Sequence, residues 1–556
     1  MLGVTWGLSP ARIYWCYSAI VKPILLHGAL VWWTALRRPA YKKPMESIHR
    51  PGALCTAGAL RTTPTAALER ILNLSPIGIA AKCLAAKSAV KLSATSELTY
   101  AKKLGGKIYT FGSYRLGVHD KGANIYALCV APRNIERSEF FTSFFGLLKK
   151  QPKVAECRSV ENTSVPVIKM KFDGVEIDLL FARLSPKEIP EDFSLRDDNL
   201  LKDSDPQSVL SLNGCRVIDE IMELVPNREN FRLALRSIKL WAKKHGIYSN
   251  SFGYFGCITW AILVAHTCQF YPNATASTLV QKFFNMFSRW RWPDPVLLKR
   301  TDIVNLQSPA LCSHLMPIIT PAYPQYNSAF NVSEATKKVI INELNRGMAT
   351  MNVIMSDGAP WDLLFEAPSF FYRYHHFIVV LVTSQTSQDQ LQWCGLVQSK
   401  IRLLVDDVQH KHHMSLVHAN PTCFEYKKDD VPTQSNSGKE NEPSDNPAVD
   451  TAPFCSMLFI GLEFEYKEKN SKVDLTGSFK YFAERITQHA VNKKMLRDGM
   501  NIEVKRIKRK SLSHYLDMDF IKSQGNIKKS ISTKRNGFAA DLSTEKEVAT
   551  KKRRLS

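Results

Sequence analysis

Phe111-Gly112-Ser113 is the stretch of this 556-residue chain whose residue types best suit phosphate binding. Glycine takes positive φ at little cost, so a Gly-Ser turn can aim backbone N–H groups, a hydroxyl and a helix start at phosphate oxygens. The turn precedes a short apolar strand, Ile125-Tyr126-Ala127-Leu128-Cys129-Val130, and Asn124 and Tyr126 fall on one face of it because strand side chains alternate. A carboxylate, Asp178, stands in a hairpin farther on. Two carboxylates at i and i+2 on one strand, with a third from a neighbour, can bridge two divalent cations that activate a hydroxyl and neutralise a triphosphate. Of Asn124, Tyr126 and Asp178, only Asp178 is ionised at neutral pH, since an amide is uncharged and a phenol with pKa near 10 keeps its proton.

The elements that must carry these residues are legible in part. Runs 165–171 and 175–181 are strand-like and separated by Phe172-Asp173-Gly174, where Asp-Gly predicts a tight hairpin turn. In the second run Glu176, Asp178 and Leu180 share one face and Ile177, Leu179 and Phe181 the other, so Asp178 is expected to point out of a sheet whose reverse face is packed. Residues 201–350 read as mainly helical. The clearest helix spans 231–245 with Gly246 as its cap, turning Phe231, Leu235, Ile238 and Trp241 to a core and Lys239 and Lys243 to another side. A further α/β unit covers about 351–500, with central strands at 377–382 and 457–464, a helix at 479–493 and a polar surface loop at 427–450. After about 500 the apolar period is lost. Two basic clusters, Lys505, Arg506, Lys508, Arg509 and Lys510, then Lys551, Lys552, Arg553 and Arg554, are expected in a disordered tail, either as nuclear-import signals or as solvated charge.

The length predicts three to four domains, and 45% apolar with 22% charged residues is the composition of a folded, soluble protein. A formal charge of +23 favours a polyanionic partner, with nucleic acid preferred over a membrane because no lipidation signal is present. The apolar run 24–36 is about 13 residues long against the roughly 20 needed to span a bilayer, and is read as a core helix. Twelve cysteines without CxxC pairs or framework spacing fit a reducing compartment and offer no zinc ligand set.

From residue 105 to about 510 the chain resembles the eukaryotic nuclear poly(A) polymerases. The resemblance is carried by the 111–113 turn, Phe172-Asp-Gly-Val-Glu-Ile-Asp178, Ser211-Leu-Asn-Gly-Cys-Arg-Val217, Ile238-Lys-Leu-Trp-Ala-Lys243, Ile247-Tyr-Ser-Asn250 and His314-Leu-Met-Pro-Ile-Ile-Thr-Pro-Ala-Tyr-Pro324. It implies an α/β multidomain fold: a polymerase-beta-like nucleotidyltransferase palm (94–200), a helical middle domain (201–350), a ferredoxin- or RRM-like RNA-binding domain (351–510) and a basic tail (511–556). It further implies ATP as substrate, Mg2+ or Mn2+ as cofactor, an RNA 3' end as acceptor, nuclear 3'-end processing factors and import receptors as partners, and a nuclear location without a membrane role.

By the same resemblance Phe111, Gly112 and Ser113 line the triphosphate pocket, and Asn213 and Lys239 contact sugar and phosphates. Tyr248 lies by base and phosphates, and Cys257 with Ile258 borders the adenine. Two alternatives read Ser113 as a plain helix cap and Lys239 as a solvated face residue. The family has aspartates where this chain has Asn124 and Tyr126; Asp178 matches the third. The loop at 300–312 is shorter than the family's, and residues 1–93, with Trp32 and Trp33, resemble a helical fragment that follows the catalytic part of non-LTR retrotransposon reverse transcriptases. The expectation is an mRNA-polyadenylating enzyme by family, impaired at the catalytic pair. The alternatives are a non-catalytic RNA-binding protein and a non-functional chimeric product.

Overall fold

The computed structural model describes residues 106–521 except 121–123, 162, 164, 191–192, 300–313, 413, 426–453, 465–472 and 518. The readings of residues 1–93, of the loops at 300–312 and 427–450 and of the cluster 551–554 lie outside the described residues. The chain divides into two compact units, one running to Glu223 with the return Ala322–Pro324, the other comprising Leu224–Pro321 and the chain from Gln325 onward.

The first unit is built on a five-stranded sheet of order β1-β2-β5-β4-β3. Its strands are β1 (Lys107–Phe111), β2 (Ile125–Ala131), β3 (Val154–Val160), β4 (Val167–Phe172) and β5 (Val175–Arg183). A four-residue helix, α1 (Gly112–Arg115), follows β1 directly, and α2 (Phe145–Lys150) lies between β2 and β3. All pairs are antiparallel except β2 with β5. A parallel pair cannot be closed by a tight turn, so the whole segment from α2 to β4 serves as its connection.

The turn between β4 and β5 is the expected hairpin: Asp173 and Gly174 sit at φ of 47° and 79°. Positive φ at both central residues is what a two-residue turn needs to match strand twist. In β5, Ile177, Leu179 and Phe181 pack one core with Phe140 and Phe141, while Leu180 and Ala182 pack a second core with Leu212 and Cys215 of α3 (Pro206–Leu224). Both faces are therefore covered. Asp178, expected to project from an open face, is only 6% exposed.

The second unit begins with helices α4 (Arg228–Lys244), α5 (Cys257–Phe270), α6 (Ala276–Phe287) and α7 (Glu334–Asp357). Asn227 caps α4, accepting from the N–H groups of Glu229 and Asn230, and Phe231, Leu235, Ile238 and Trp241 are fully buried as their spacing requires. At its other end Gly246 takes φ of 68°, with Ile247 N–H donating to Ala242 O and Gly246 N–H to Lys243 O. These are the two bonds of a Schellman cap.

There follow β6 (His376–Ser384), α8 (Ser387–Lys411), β7 (Met414–Ala419), β8 (Phe424–Glu425), β9 (Phe454–Phe464), α9 (Thr476–Asn492) and β10 (Asn501–Lys508). The sheet order is β10-β6-β9-β7, all antiparallel, with β8 pairing on β9. A β-α-β-β-α-β sequence in this order is the ferredoxin-like arrangement. The expectation of a disordered basic tail starting near 500 is corrected here. Residues 501–508 form an edge strand paired along its length with β6, and a 3-10 turn, Arg509–His514, continues it. Ile502 and Ile507 are buried and supply apolar contacts among the charges.

Within this unit, buried polar groups cross-link separate elements. Tyr254 donates to Ala419 O at 2.8 Å, His245 Nδ1 lies 2.7 Å from Glu343 Oε2, and the Tyr374 hydroxyl meets His418 Nδ1 at 2.7 Å.

Candidate active site

Register places four side chains in one row across the first sheet. Phe111 pairs with Tyr126, Tyr126 with Asp178, and Asp178 with Lys169. Residues directly paired across strands project to the same face. The Lys169 Nζ approaches Asp178 Oδ2 at 2.7 Å, so the buried carboxylate has an ammonium group as its neighbour on one side and a phenol on the other.

The Phe111 and Tyr126 rings lie 5.4 Å apart at 44°. Tyr126 also crowds the phosphate-type turn, because a Cβ placed on Gly112 would stand 3.0 Å from its Cδ2. Gly112 has φ of 69°, so both its backbone and the neighbouring ring exclude a side chain there. On the other side of Phe111 stands Gly214 of α3, where an added Cβ would approach the ring to 2.8 Å. Phe111 is held between a helix glycine and a strand tyrosine.

Helix α1 is fastened to α3 by Arg115, whose Nε and Nη2 donate to the two Asp219 carboxylate oxygens at 2.6 and 2.8 Å. Burial alone would lower the Arg115 pKa, but the Asp219 hydrogen bonds and charge raise it above its ordinary value. Ser113 lies inside α1, whose N-cap residue is Phe111 without a side-chain cap bond. The plain-cap alternative for Ser113 is thereby removed. Its carbonyl accepts from Val118 N–H at 2.9 Å, which closes the turn.

Asn213, adjacent to Gly214, is 3% exposed, and among the described residues neither its Oδ1 nor its Nδ2 has a hydrogen-bond partner. A buried amide left this way costs about 1–3 kcal/mol unless something completes it, and a ligand hydroxyl or phosphate oxygen is such a partner.

The remaining expected residues belong to the second unit. Lys239 is only 2% exposed, so it is not a solvated face residue. Tyr248 is half-buried with the Lys243 ammonium 5.3 Å from its ring centroid, and half-buried Cys257 opens α5 with Ile258 beside it. The structure thus brings together Phe111, Gly112, Asn213, Tyr126 and Asp178 within one unit and carries Lys239, Tyr248, Cys257 and Ile258 on the other. Asn124 is half-buried immediately before β2.

Divalent cations do not fit the residues present. Asp178 is the one carboxylate of the expected three, it is already paired with Lys169, and its register partner on β2, Tyr126, is a phenol. Among the described residues no group of three or more His, Cys, Asp or Glu side chains is placed to share a metal ion.

Sequence reasoning missed Lys169, Arg115 with Asp219, and Gly214. Lys169 and Asp178 stand equidistant from the Asp173-Gly174 turn, so a two-residue hairpin already dictates their pairing. The other contacts join segments about a hundred residues apart and have no such signal.

A mixed sheet with a Gly-Ser turn after its first strand, followed by a helical region and a ferredoxin-like domain, defines a nucleotidyltransferase-type α/β protein. Three family models match in succession: the poly(A) polymerase nucleotidyltransferase domain over residues 88–225, the central domain over 230–367 and the predicted RNA binding domain over 369–524. The chain belongs to the poly(A) polymerase family.

A poly(A) polymerase of Dictyostelium discoideum is 38% identical over 457 residues, covering 80% of this chain and 54% of its own length. Poly(A) polymerase PAPalpha of Candida albicans is 43% identical over 327 residues, 57% of this chain and 59% of that protein. The chain therefore spans little more than half the length of these relatives. Among solved structures, the Cid1 poly(U) polymerase bound to MgATP aligns at 14% identity with a TM-score of 0.38, over 50% of this chain and 93% of that one.

Proposed function

We propose that this chain is a poly(A)-polymerase-type protein that engages RNA 3' ends and ATP in the nucleus, and that its adenylyl transfer is impaired by Asn124 and Tyr126. The observation that carries this reading is the row Phe111, Tyr126, Asp178, Lys169, in which one carboxylate is flanked by a phenol and an ammonium. Nucleotide recognition is supported separately by the buried, unpartnered amide of Asn213 and by the turn at Gly112. Loss of a single electrostatic donor from a site of this kind costs about 3–4 kcal/mol, or 10²–10³ in rate, and two missing charges cost more. No part of this reading rests on residues 1–93.

The test is to incubate the purified chain with ATP, an RNA primer and either Mg2+ or Mn2+. Negligible tailing is expected alongside measurable binding of both substrates. Robust tailing that Asp178→Ala abolishes would overturn the impairment.

A non-catalytic RNA-binding role is the second reading, favoured by edge strand β10, where Arg506 and Lys508 are exposed, with exposed Lys510 just beyond it.

A further inference from the structure

Two cysteines of the second unit stand in direct contact. Cys394 is buried on α8, Cys423 is half-buried immediately before β8, and their Sγ atoms are 3.6 Å apart. Gln398, one turn along α8, donates to Cys394 Sγ at 3.5 Å. We propose that Cys394 and Cys423 form a peroxide-oxidisable thiol pair that closes to a reversible disulfide between α8 and the segment joining β7 to β8.

The roles of the two sulfurs differ. The Cys394 S–H donates to Cys423 and holds its pKa down to about 7 against burial, with Gln398 and Ser456 adding hydrogen bonds. The same bond, with burial, pushes Cys394 above its ordinary value. Cys423 is also the better solvated of the two, so it is the one that ionises more readily and the group a small oxidant reaches first. Cys455, the third thiol nearby, is buried and pushed up to about 11 by that burial and by the Cys423 charge, which leaves it protonated.

The chemistry balances with a hydroperoxide as oxidant. The Cys423 thiolate attacks one peroxide oxygen, the O–O bond breaks with its electron pair leaving on hydroxide, and an S–O bond forms. The Cys394 sulfur then attacks Cys423, the S–S bond replaces S–O, and the departing hydroxide takes the Cys394 proton as water. Each sulfur loses one electron and the peroxide gains two. Closure shortens the Sγ separation from 3.6 Å to a bond of about 2.05 Å. Neither cysteine belongs to the candidate active site, so the inference is independent of the proposed function.

The full chain is titrated with hydrogen peroxide, quenched with N-ethylmaleimide and mapped as non-reduced peptides. A peptide pair linking Cys394 to Cys423 is expected before the other described cysteines are modified, with two thiols lost together and both regained in dithiothreitol. Cys394→Ser is expected to leave Cys423 as a sulfenic acid trapped by dimedone, and Cys423→Ser to slow oxidation of Cys394 at least tenfold. Circular dichroism confirms that each variant is folded. A folded chain whose Cys394 and Cys423 both stay alkylated while other thiols oxidise, a Cys423–Cys455 link, or a dimedone adduct on Cys394 ahead of Cys423 would each overturn the proposal.

Discussion

Lys169 stands directly opposite Asp178 across the β4–β5 hairpin, with its ammonium nitrogen 2.7 Å from the carboxylate. A carboxylate 6% exposed is costly to bury alone, and the lysine charge offsets that cost. With Tyr126 as its partner on the other side, Asp178 has Lys169 as its one charged neighbour in this row of the sheet.

On the proposed impairment, placing carboxylates at 124 and 126 is expected to give adenylyl transfer. Asn124→Asp with Tyr126→Asp puts one carboxylate on β2 opposite Asp178 and a second two residues earlier, immediately before the strand, and removes the ring that crowds Gly112. Adenylate addition is expected to rise at least about 10²-fold over the parent, with each single variant within tenfold of it. Primer-extension rates, with Mn2+ binding by calorimetry, check this. Equal activity of parent and a folded double variant would show that the defect lies elsewhere.

RNA affinity should survive independently of the catalytic pair and depend on salt. The exposed Lys508 at the end of β10 and Lys510 just past it are candidate phosphate contacts. Replacing both by alanine is expected to reduce the slope of log Kobs against log salt by about 1.4 for single-stranded RNA, at roughly 0.7 per contact. Filter binding across a salt series gives the slope directly.

Nuclear accumulation should depend more on Lys551, Lys552, Arg553 and Arg554 than on the cluster at 505–510. Strand β10 is hydrogen-bonded to β6 along its length, Lys505 pairs with Glu503 at 2.9 Å, and Arg506 donates to Val473 O. Presenting that segment as an extended peptide would require unpairing it. In a fluorescent fusion, neutralising 551–554 is expected to release protein to the cytoplasm, while neutralising Lys508 and Lys510 alone is not.

The second unit should lose stability below neutral pH through His418. Burial, then the Arg373 charge, holds its pKa down to about 3 against an ordinary value near 6.5, and its Nδ1 lies 2.7 Å from the Tyr374 hydroxyl. Above 6.5 neither state binds the proton and the contribution is full. As pH falls from 6.5 toward 3 the unfolded chain takes up a proton that the folded chain refuses, and stability falls. Between pH 6.5 and 5 the loss is about 2 kcal/mol from this one group. Glu343, held below the usual carboxylate range by His245 despite its burial, acts only at lower pH. Denaturant melts at pH 7 and 5 should show a smaller difference in His418→Gln, which keeps an acceptor for Tyr374.

What the sequence by itself determined is local. Asp173-Gly174 could form only a turn with positive φ at both residues, Gly246 could only cap α4, and alternation along β5 divided its side chains between two cores. Each follows from φ/ψ sterics or a period of 2 or 3.6, which are properties of a few neighbouring residues. The tertiary structure alone decided that Tyr126 sits beside Asp178, that the Phe111 ring lies between Gly214 and Tyr126, that Lys239 is buried and that the basic run at 501–508 becomes a strand. Parallel pairing of β2 with β5 and edge pairing of β10 with β6 are contacts between distant segments. Their energy comes from burial on a partner surface that local composition does not describe, and a lysine-rich segment with two well-placed isoleucines is ordered by that surface rather than by its own propensity.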